Sequence, residues 1–145
     1  MEQKPDKYMG YWINKVGRTI KTIHDKKFEK YGITLSQGAI LHQFWHKDGL
    51  TQKEIQENLN LRGASVSGLV DILFKKGLIS RRQDEEDARY KRLYLTEEGH
   101  KLGVLCAGVI KEVEDEISQG FSEEEKLIFV SWLKKLYSNL KNLEK

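Results

Sequence analysis

LTQKEIQENLNLRGASVSGLVDILFKKG, residues 50–77, is the stretch that decides the fold of this chain. Thr51 followed by Glu54 is a capping-box pattern, which predicts that a short helix begins at Thr51. After residues 60–63, apolar side chains from Val66 to Phe74 recur at spacings of three and four, which predicts that they face inward on a second helix that ends at Gly77. Two helices joined by so short a link form a helix-turn-helix motif.

The hydrophobic period changes after Gly77. Residues 78–82 and 91–95 predict two short strands, and the polar residues 83–90 between them are typical of a turn. The expected product is a β-hairpin that directly follows the two helices. The sequence therefore predicts a mainly α (α+β) protein with a winged helix-turn-helix core.

Composition restricts the class of protein. The 145 residues are 39% hydrophobic and 32% charged, which excludes a disordered chain and suits a single folded core. Because Cys106 is the only cysteine, an internal disulfide is impossible and a reducing cytoplasm is the expected location. No apolar run reaches the roughly 18 residues of a membrane span, and we find no signal-peptide pattern. The net charge of +3 says little about partners, since local charge matters more.

The second helix of a helix-turn-helix lies in the major groove of DNA, with its N-terminal side chains at the base edges. Arg62 could bind guanine through two hydrogen bonds, and Ser65 and Ser67 could contact bases or phosphates. An ordinary solvated helix face with a serine-rich start is the alternative. The residues expected to contact DNA, on both helices and the hairpin, are Thr51, Gln52, Arg62, Gly63, Ala64, Ser65, Ser67, Gly68, Asp71, Arg81, Arg82, Arg89 and Lys91.

The hairpin favours the DNA-binding interpretation because it is rich in cations. Arg89 lies near its tip, and a narrow minor groove attracts an inserted arginine. Asp84 and Asp87 are expected to shape the wing by accepting hydrogen bonds from turn amides and holding the arginines in place. A charged, exposed hairpin without a DNA role is the alternative. The cations on or beside the hairpin are Arg81, Arg82, Arg89, Lys91 and Arg92.

Helical periodicity continues on both sides of this core. Residues 7–29 predict a first helix, and Leu35-Ser36 offers a serine N-cap for the next one. Thr96 and Ser122 are expected to cap two further helices after the hairpin, and the inward positions expected on the first of these include Leu105 and Ile117.

The last helix carries an apolar stripe that has no partner left in a small winged-helix core and must be buried against something. A homodimer is the prediction, and packing on the first helix is the alternative. We expect a DNA-binding region at residues 35–99 and a helical dimerisation region at residues 1–34 and 100–145, in one intertwined unit. The expected dimerisation residues are Tyr8, Leu133, Leu136, Tyr137 and Leu140.

An ordered set of motifs resembles the MarR family of bacterial regulators: LTQKEI (50–55), ASVSGLVD (64–71), KGLISR (76–81), DEEDAR (84–89) and LYLTEEG (93–99). The resemblance implies an obligate homodimer that acts as a repressor. Its recognition helices would enter the major grooves of a pseudo-palindromic operator. By position it also implies base-facing Ala64, Ser65, Ser67 and Gly68, and a wing arginine at Arg89. Two departures leave the operator sequence open. Many members have a second basic residue where this chain has Ala88, and an arginine where it has Gly68 or Ile72.

Members of that family often respond to an effector, and this sequence contains candidate residues for three kinds of effector. A small aromatic or anionic molecule is the preferred one, with a pocket formed by Tyr11, Trp12, Lys15, Arg18 and Thr19. Those aromatic residues could instead be dimer core.

The other two kinds of effector are a metal and an oxidant. His42 and His46, four residues apart, could share a metal ion, but a solvated or capping role is preferred. Cys106, at an inward helix position, is expected to be a buried hydrophobe instead of a redox sensor. No metal site and no cofactor are therefore expected.

No constellation of catalytic groups is present in the sequence, so an enzyme is not expected. A winged-helix module that binds another protein is the alternative function.

Overall fold

The computed structural model describes residues 4–144, and the ends of the expected dimerisation region, residues 1–3 and 145, lie outside the described residues. The predicted fold class is confirmed: six helices flank and include a helix-turn-helix, followed by a two-stranded antiparallel hairpin. Short 3-10 turns at Pro5–Lys7 and Glu29–Tyr31 bracket the first helix. The elements are α1 Met9–Phe28, α2 Leu35–Gln43, α3 Gln52–Leu59, α4 Gly63–Lys75, β1 Ile79–Gln83, β2 Lys91–Leu95, α5 Glu97–Ile117 and α6 Glu123–Leu143.

The start of α2 differs from the prediction. Thr34, not Ser36, is the N-cap: its Oγ1 accepts a hydrogen bond from the Gln37 N–H at 3.2 Å, and the Gln37 amide oxygen accepts one from the Thr34 N–H. Asp25 of α1 also accepts the Leu35 N–H at 2.7 Å. That hydrogen bond lowers the pKa of Asp25 below its usual value, with a further contribution from the Lys21 ammonium group.

Local hydrogen bonds and backbone conformations determine where α3 begins and where α3 and α4 end. The predicted capping box is confirmed, since the Thr51 Oγ1 accepts the Glu54 N–H at 3.1 Å and the Glu54 carboxylate accepts the Thr51 N–H at 2.8 Å. Asn60, with a φ of 52°, ends α3 in a left-handed conformation, and Gly77 does the same after α4 with a φ of 73°.

One face of α4 enters the hydrophobic core. Val66, Val70 and Leu73 are buried there, together with residues of α2, α3 and the hairpin. The prediction that Phe74 also faces inward was wrong, because that side chain is exposed. The core residues around them are Phe28, Ile33, Ile40, Leu41, Phe44, Leu50, Ile55, Leu78, Ile79, Leu93, Cys106 and Val109.

The hairpin pairs Ile79 with Leu95 and Gln83 with Lys91 at its two ends. Leu50, just before α3, forms an isolated antiparallel β-bridge with β2: its N–H donates to the Leu93 carbonyl at 3.1 Å and its carbonyl accepts the Leu93 N–H at 2.8 Å. This bridge fixes the wing to the turn before α3, so the hairpin projects from a defined place in the core.

Thr96 caps α5, as predicted, by accepting the Gly99 N–H at 3.1 Å. It also donates to the Gly77 carbonyl at 2.6 Å, which links the end of α4 to the start of α5. Two of the positions on α5 that were predicted to face inward, Leu105 and Ile117, are exposed, whereas Cys106, Val109 and Val113 are buried.

The described chain forms two compact units that divide between Val113 and Glu114. In the second unit, the Ser122 capping box opens α6, and none of the α6 side chains is buried. In the first unit, α1 buries only His24 and Phe28 among its twenty residues. None of the helices within residues 4–144 combines the length and apolar character needed to cross a membrane.

Candidate nucleic-acid interface

The N-terminal half of α4 presents a solvent-facing surface made of small side chains. Arg62 is the N-cap residue, and its side chain makes no hydrogen bond or ion pair with any other part of residues 4–144. Ala64, Ser65 and Gly68 are exposed, and Ser67 is half-buried. This half of the helix is therefore anchored by its apolar face and leaves its polar face available to another molecule.

The hydroxyl groups of Ser65 and Ser67 are not used within the described chain. Elsewhere, hydroxyl side chains bond back to the preceding helical turn: Thr19 donates to the Lys15 carbonyl at 2.8 Å, and Ser118 donates to the Glu114 carbonyl at 2.8 Å. Ser65 and Ser67 make no such bond within residues 4–144. Both hydroxyls thus keep their full capacity to donate and accept hydrogen bonds.

Asp71 and Arg81, both expected at the DNA surface, bind each other. The Arg81 Nη2 donates to the Asp71 Oδ1, which joins α4 to β1. The Arg81 guanidinium also lies 4.7 Å from the centroid of the exposed Phe74 ring, where a cation–π contact is favourable. In the structure these two residues connect the recognition helix to the wing, and a direct contact with DNA stays a prediction.

The tip of the wing exposes Arg89. Its side chain is 84% exposed and is held by Asp87, whose Oδ1 accepts the Arg89 backbone N–H at 3.1 Å and whose Oδ2 accepts the Nη2 at 2.8 Å. The side-chain hydrogen bond from Arg89 lowers the pKa of Asp87, because it favours the charged carboxylate. The pair orients an arginine at the tip of the hairpin while leaving most of its surface in solvent.

Arg92, the second residue of β2, has a different environment. Arg92 is only half-exposed: its Nε donates to the Asp84 Oδ2 at 3.1 Å and its Nη1 donates to the Gly49 carbonyl at 2.8 Å. The Asp84 Oδ1 accepts the Glu86 N–H at 3.0 Å, which shapes the turn. Sequence analysis grouped Arg92 with the cations of the hairpin, whereas the structure uses it to tie the wing to the turn before α3. Gly49 lies 43 residues from Arg92 along the chain, so no local sequence pattern indicates this contact.

The remaining predicted contacts lie around this surface. Arg82 is exposed and stacks over the Tyr94 ring at 4.6 Å, and Lys91 is exposed at the start of β2. Thr51 and Gln52 are half-buried at the start of α3. At Gly63 an added Cβ would lie 3.2 Å from the Gln56 amide oxygen, so this glycine allows α3 and α4 to approach closely.

Known proteins share this arrangement of helix-turn-helix and wing. The model of the MarR family matches residues 33–91. The crystal structure of the MepR–DNA complex from S. aureus is 32% identical, with a TM-score of 0.87 over 94% of this chain and 99% of that chain. The chain belongs to the MarR family.

Further similarities agree with membership of the MarR family. Two HTH-type transcriptional regulators of Bacillus subtilis (strain 168), both described as uncharacterized, are each 29% identical: YdgJ over 81% of this chain and 73% of its own length, and YwoH over 86% and 90%. The transcriptional regulator SlyA, 22% identical with a TM-score of 0.83, shares the fold. This MarR-family chain is therefore a transcription regulator, a class of proteins that are not enzymes.

Four of the five effector residues predicted for this MarR-family protein line a groove on α1. The groove has a volume of about 380 Å³, and it includes Asn14, which the sequence analysis missed. Trp12 does not line it, but meets the Tyr11 ring edge-on at 5.4 Å and donates its indole N–H to the Asp6 carbonyl at 2.7 Å. The remaining lining residues are Tyr11, Lys15, Arg18 and Thr19.

The other two candidate sensors of the MarR-family chain have different environments. The rings of His42 and His46 lie 6.3 Å apart, and no cluster of three potential metal ligands occurs within residues 4–144. Cys106 is buried in the core, and burial raises the pKa of its thiol to about 11, which disfavours the reactive thiolate.

Proposed function

We propose that this transcription regulator is a cytoplasmic, sequence-specific repressor that binds a pseudo-palindromic operator on double-stranded DNA as a homodimer. The observation that carries the proposal is the pairing of two available surfaces on one core: the N-terminal face of α4 and the wing tip with Arg89. MepR, which is 32% identical over almost its whole length, was crystallised with DNA, and this supports the proposal.

In the proposed complex, α4 lies in the major groove and the wing follows the backbone to the adjacent minor groove. The Arg62 side chain, which makes no hydrogen bond or ion pair within residues 4–144, donates two hydrogen bonds to guanine. Ser65 and Ser67 contact base edges or phosphates. Arg89 enters the minor groove, where the narrow walls concentrate the negative potential of the phosphates.

Dimerisation is supported by the large apolar side chains that the single chain leaves in solvent. On α6 these include Phe129, Leu133, Tyr137 and Leu140, and on α1 they include Trp12. Apolar patches of this extent mark interaction surfaces in soluble proteins. A second copy of the chain would bury them and would place two recognition helices on two half-sites about 10 base pairs apart.

Release from DNA by a small anionic aromatic molecule completes the proposal. The α1 groove combines the Tyr11 ring with the cationic side chains of Lys15 and Arg18, and this combination suits a carboxylate or phenolate attached to an aromatic ring.

The test begins with selection of bound sequences from random duplexes, followed by anisotropy titrations of the selected duplex at several salt concentrations. Arg89→Ala should weaken binding and lower the slope of log K against log salt by about one for each protomer. Lys26→Ala, which removes an exposed cation from α1, is the matched control and should leave that slope unchanged.

Unchanged affinity and slope in Arg89→Ala would contradict the role of the wing. Sedimentation equilibrium provides the independent test of assembly, and a monomer at micromolar concentration would contradict the homodimer. Failure to enrich any duplex would favour a protein-binding module over a DNA-binding regulator.

A further inference from the structure

A line of residues without hydrogen-bonding side chains runs along the solvent-facing side of α4. Ala64, Gly68 and Ile72 are spaced by four residues, so they lie above one another on the same face of the helix. All three are exposed, although each could have carried a polar group at that position without disturbing the core. The buried face, with Val66, lies on the opposite side.

The polar side chains beside this line do not cover it. The carboxylate of Asp71 is bound by Arg81, which draws it toward the hairpin. Ser67 lies at the half-buried edge of the helix, on the side away from Ile72. Ala64, Gly68 and Ile72 are therefore left exposed between the polar side chains of α4.

Gly68 has no role in the packing of the chain itself. An added Cβ at this position would meet no atom within 4 Å, whereas a Cβ at Gly99 would lie 2.0 Å from the Leu78 carbonyl oxygen. The backbone of Gly68 has an ordinary helical conformation, so no strain requires glycine. Glycine also weakens a helix interior relative to alanine. The gap that it leaves is open to a molecule outside the chain.

We infer that this line reads the C5 methyl groups of thymines in the operator half-site, with Gly68 admitting the bases close to the helix axis. The inference rests on the proposed function and specifies its target. Of the four bases, thymine alone presents a methyl group in the major groove, beside its O4 acceptor, and the other three present hydrogen-bonding groups there without a methyl group. Such groups lose free energy when they are buried against Ala64 or Ile72 without a partner.

The test replaces each thymine of the selected half-site in turn by 2′-deoxyuridine, which removes the methyl group and keeps every hydrogen-bonding group. Anisotropy titrations should show about a fourfold loss of affinity for each methyl group that the helix buries. In Ile72→Ala, the loss at the thymine that faces residue 72 should disappear while the losses at other thymines remain.

Gly68→Ala tests the close approach. This variant should fold with an equal or higher melting temperature, because the added methyl group meets nothing in the chain, but should bind the selected duplex about tenfold less tightly. Its affinity for random duplex should stay unchanged. Asn58→Ala, at an exposed position on α3 outside both the predicted DNA contacts and the expected dimerisation region, is the control and should keep wild-type affinity.

The outcomes separate this inference from the proposed function. If no duplex is enriched, both are overturned. If a duplex is bound but its half-site contains no thymine, or deoxyuridine changes nothing, the methyl-reading inference is overturned and the DNA-binding function stands. Wild-type affinity in Gly68→Ala would likewise overturn the close approach at that residue.

Discussion

The link between Asp71 and Arg81 predicts a measurable coupling between the recognition helix and the wing. The perturbation is a double-mutant cycle of Asp71→Ala, Arg81→Ala and the double variant. The side chains of the pair are 54% and 30% exposed, respectively, so the ion pair contributes about 0.5–1 kcal/mol, as expected for a largely solvated pair. Arg81 also stacks on Phe74, which adds about 0.5–1 kcal/mol.

These contributions give an ordered set of expected values. Asp71→Ala should lower the free energy of unfolding by about 0.5–1 kcal/mol, and Arg81→Ala should lower it by about 1–2 kcal/mol because it removes both contacts. The coupling energy of the pair should be about 0.5–1 kcal/mol and should fall as salt rises. Urea unfolding at one fixed protein concentration and two salt concentrations measures all of these quantities.

A second assay decides between this role and the role that the sequence suggested. If Asp71 positions α4, its loss should weaken binding to all tested operator variants by a similar factor. If it touches a base, Asp71→Ala should change preference at a single base pair. A single-position change in preference together with zero coupling to Arg81 would refute the structural reasoning.

Three further predictions concern the stability and reactivity of the core. The Leu35 N–H lowers the pKa of Asp25, so the stability that this carboxylate provides is present above about pH 4 and is lost as the pH falls through the lower folded value. Asp25→Ala should therefore destabilise the protein by about 1 kcal/mol in urea unfolding at pH 7, and by less at pH 3. Gly99→Ala should cost about 1–3 kcal/mol in the same assay, because its Cβ would overlap the Leu78 carbonyl oxygen, and wild-type stability would contradict that steric argument. At pH 8, a shift of the pKa of Cys106 from 9.0 to about 11 should slow iodoacetamide labelling roughly a hundredfold relative to the unfolded chain, and equal rates would show that the thiol is accessible.

Much of the fold could be predicted because its signals are local. The capping box at Thr51 and the glycine after α4 act on backbone groups only a few residues away. The sequence alone is therefore enough to recognise them. The start of α2 was missed for the opposite reason. Thr34 and Ser36 are both good N-caps, and the choice depends on the Gln37 side chain and on the approach of Asp25 from α1.

The exposed aromatic ring of Phe74 shows a second limit of periodicity. Helical spacing places it next to the apolar face of α4, and only the position of β1 decides whether that flank is covered by core or by a guanidinium group. In the structure, Arg81 covers it. Helical spacing cannot distinguish these cases, because a cation over an exposed aromatic ring stabilises that ring at the surface.

The same limit applies to the arginines of the wing, which form one class in the sequence and occupy four different environments in the structure. Arg92 is bound to Asp84 and to a carbonyl that is distant along the chain, and Arg81 is bound to α4. Arg82 lies flat on an aromatic ring, whereas Arg89 extends from the tip with its carboxylate partner beside it. Much of the positive charge of the hairpin is thus engaged within the chain, where it fixes the position of the wing. In the proposed DNA complex, the contribution of the hairpin then depends on how well these partly exposed contacts hold Arg89 in place, more than on the number of basic residues.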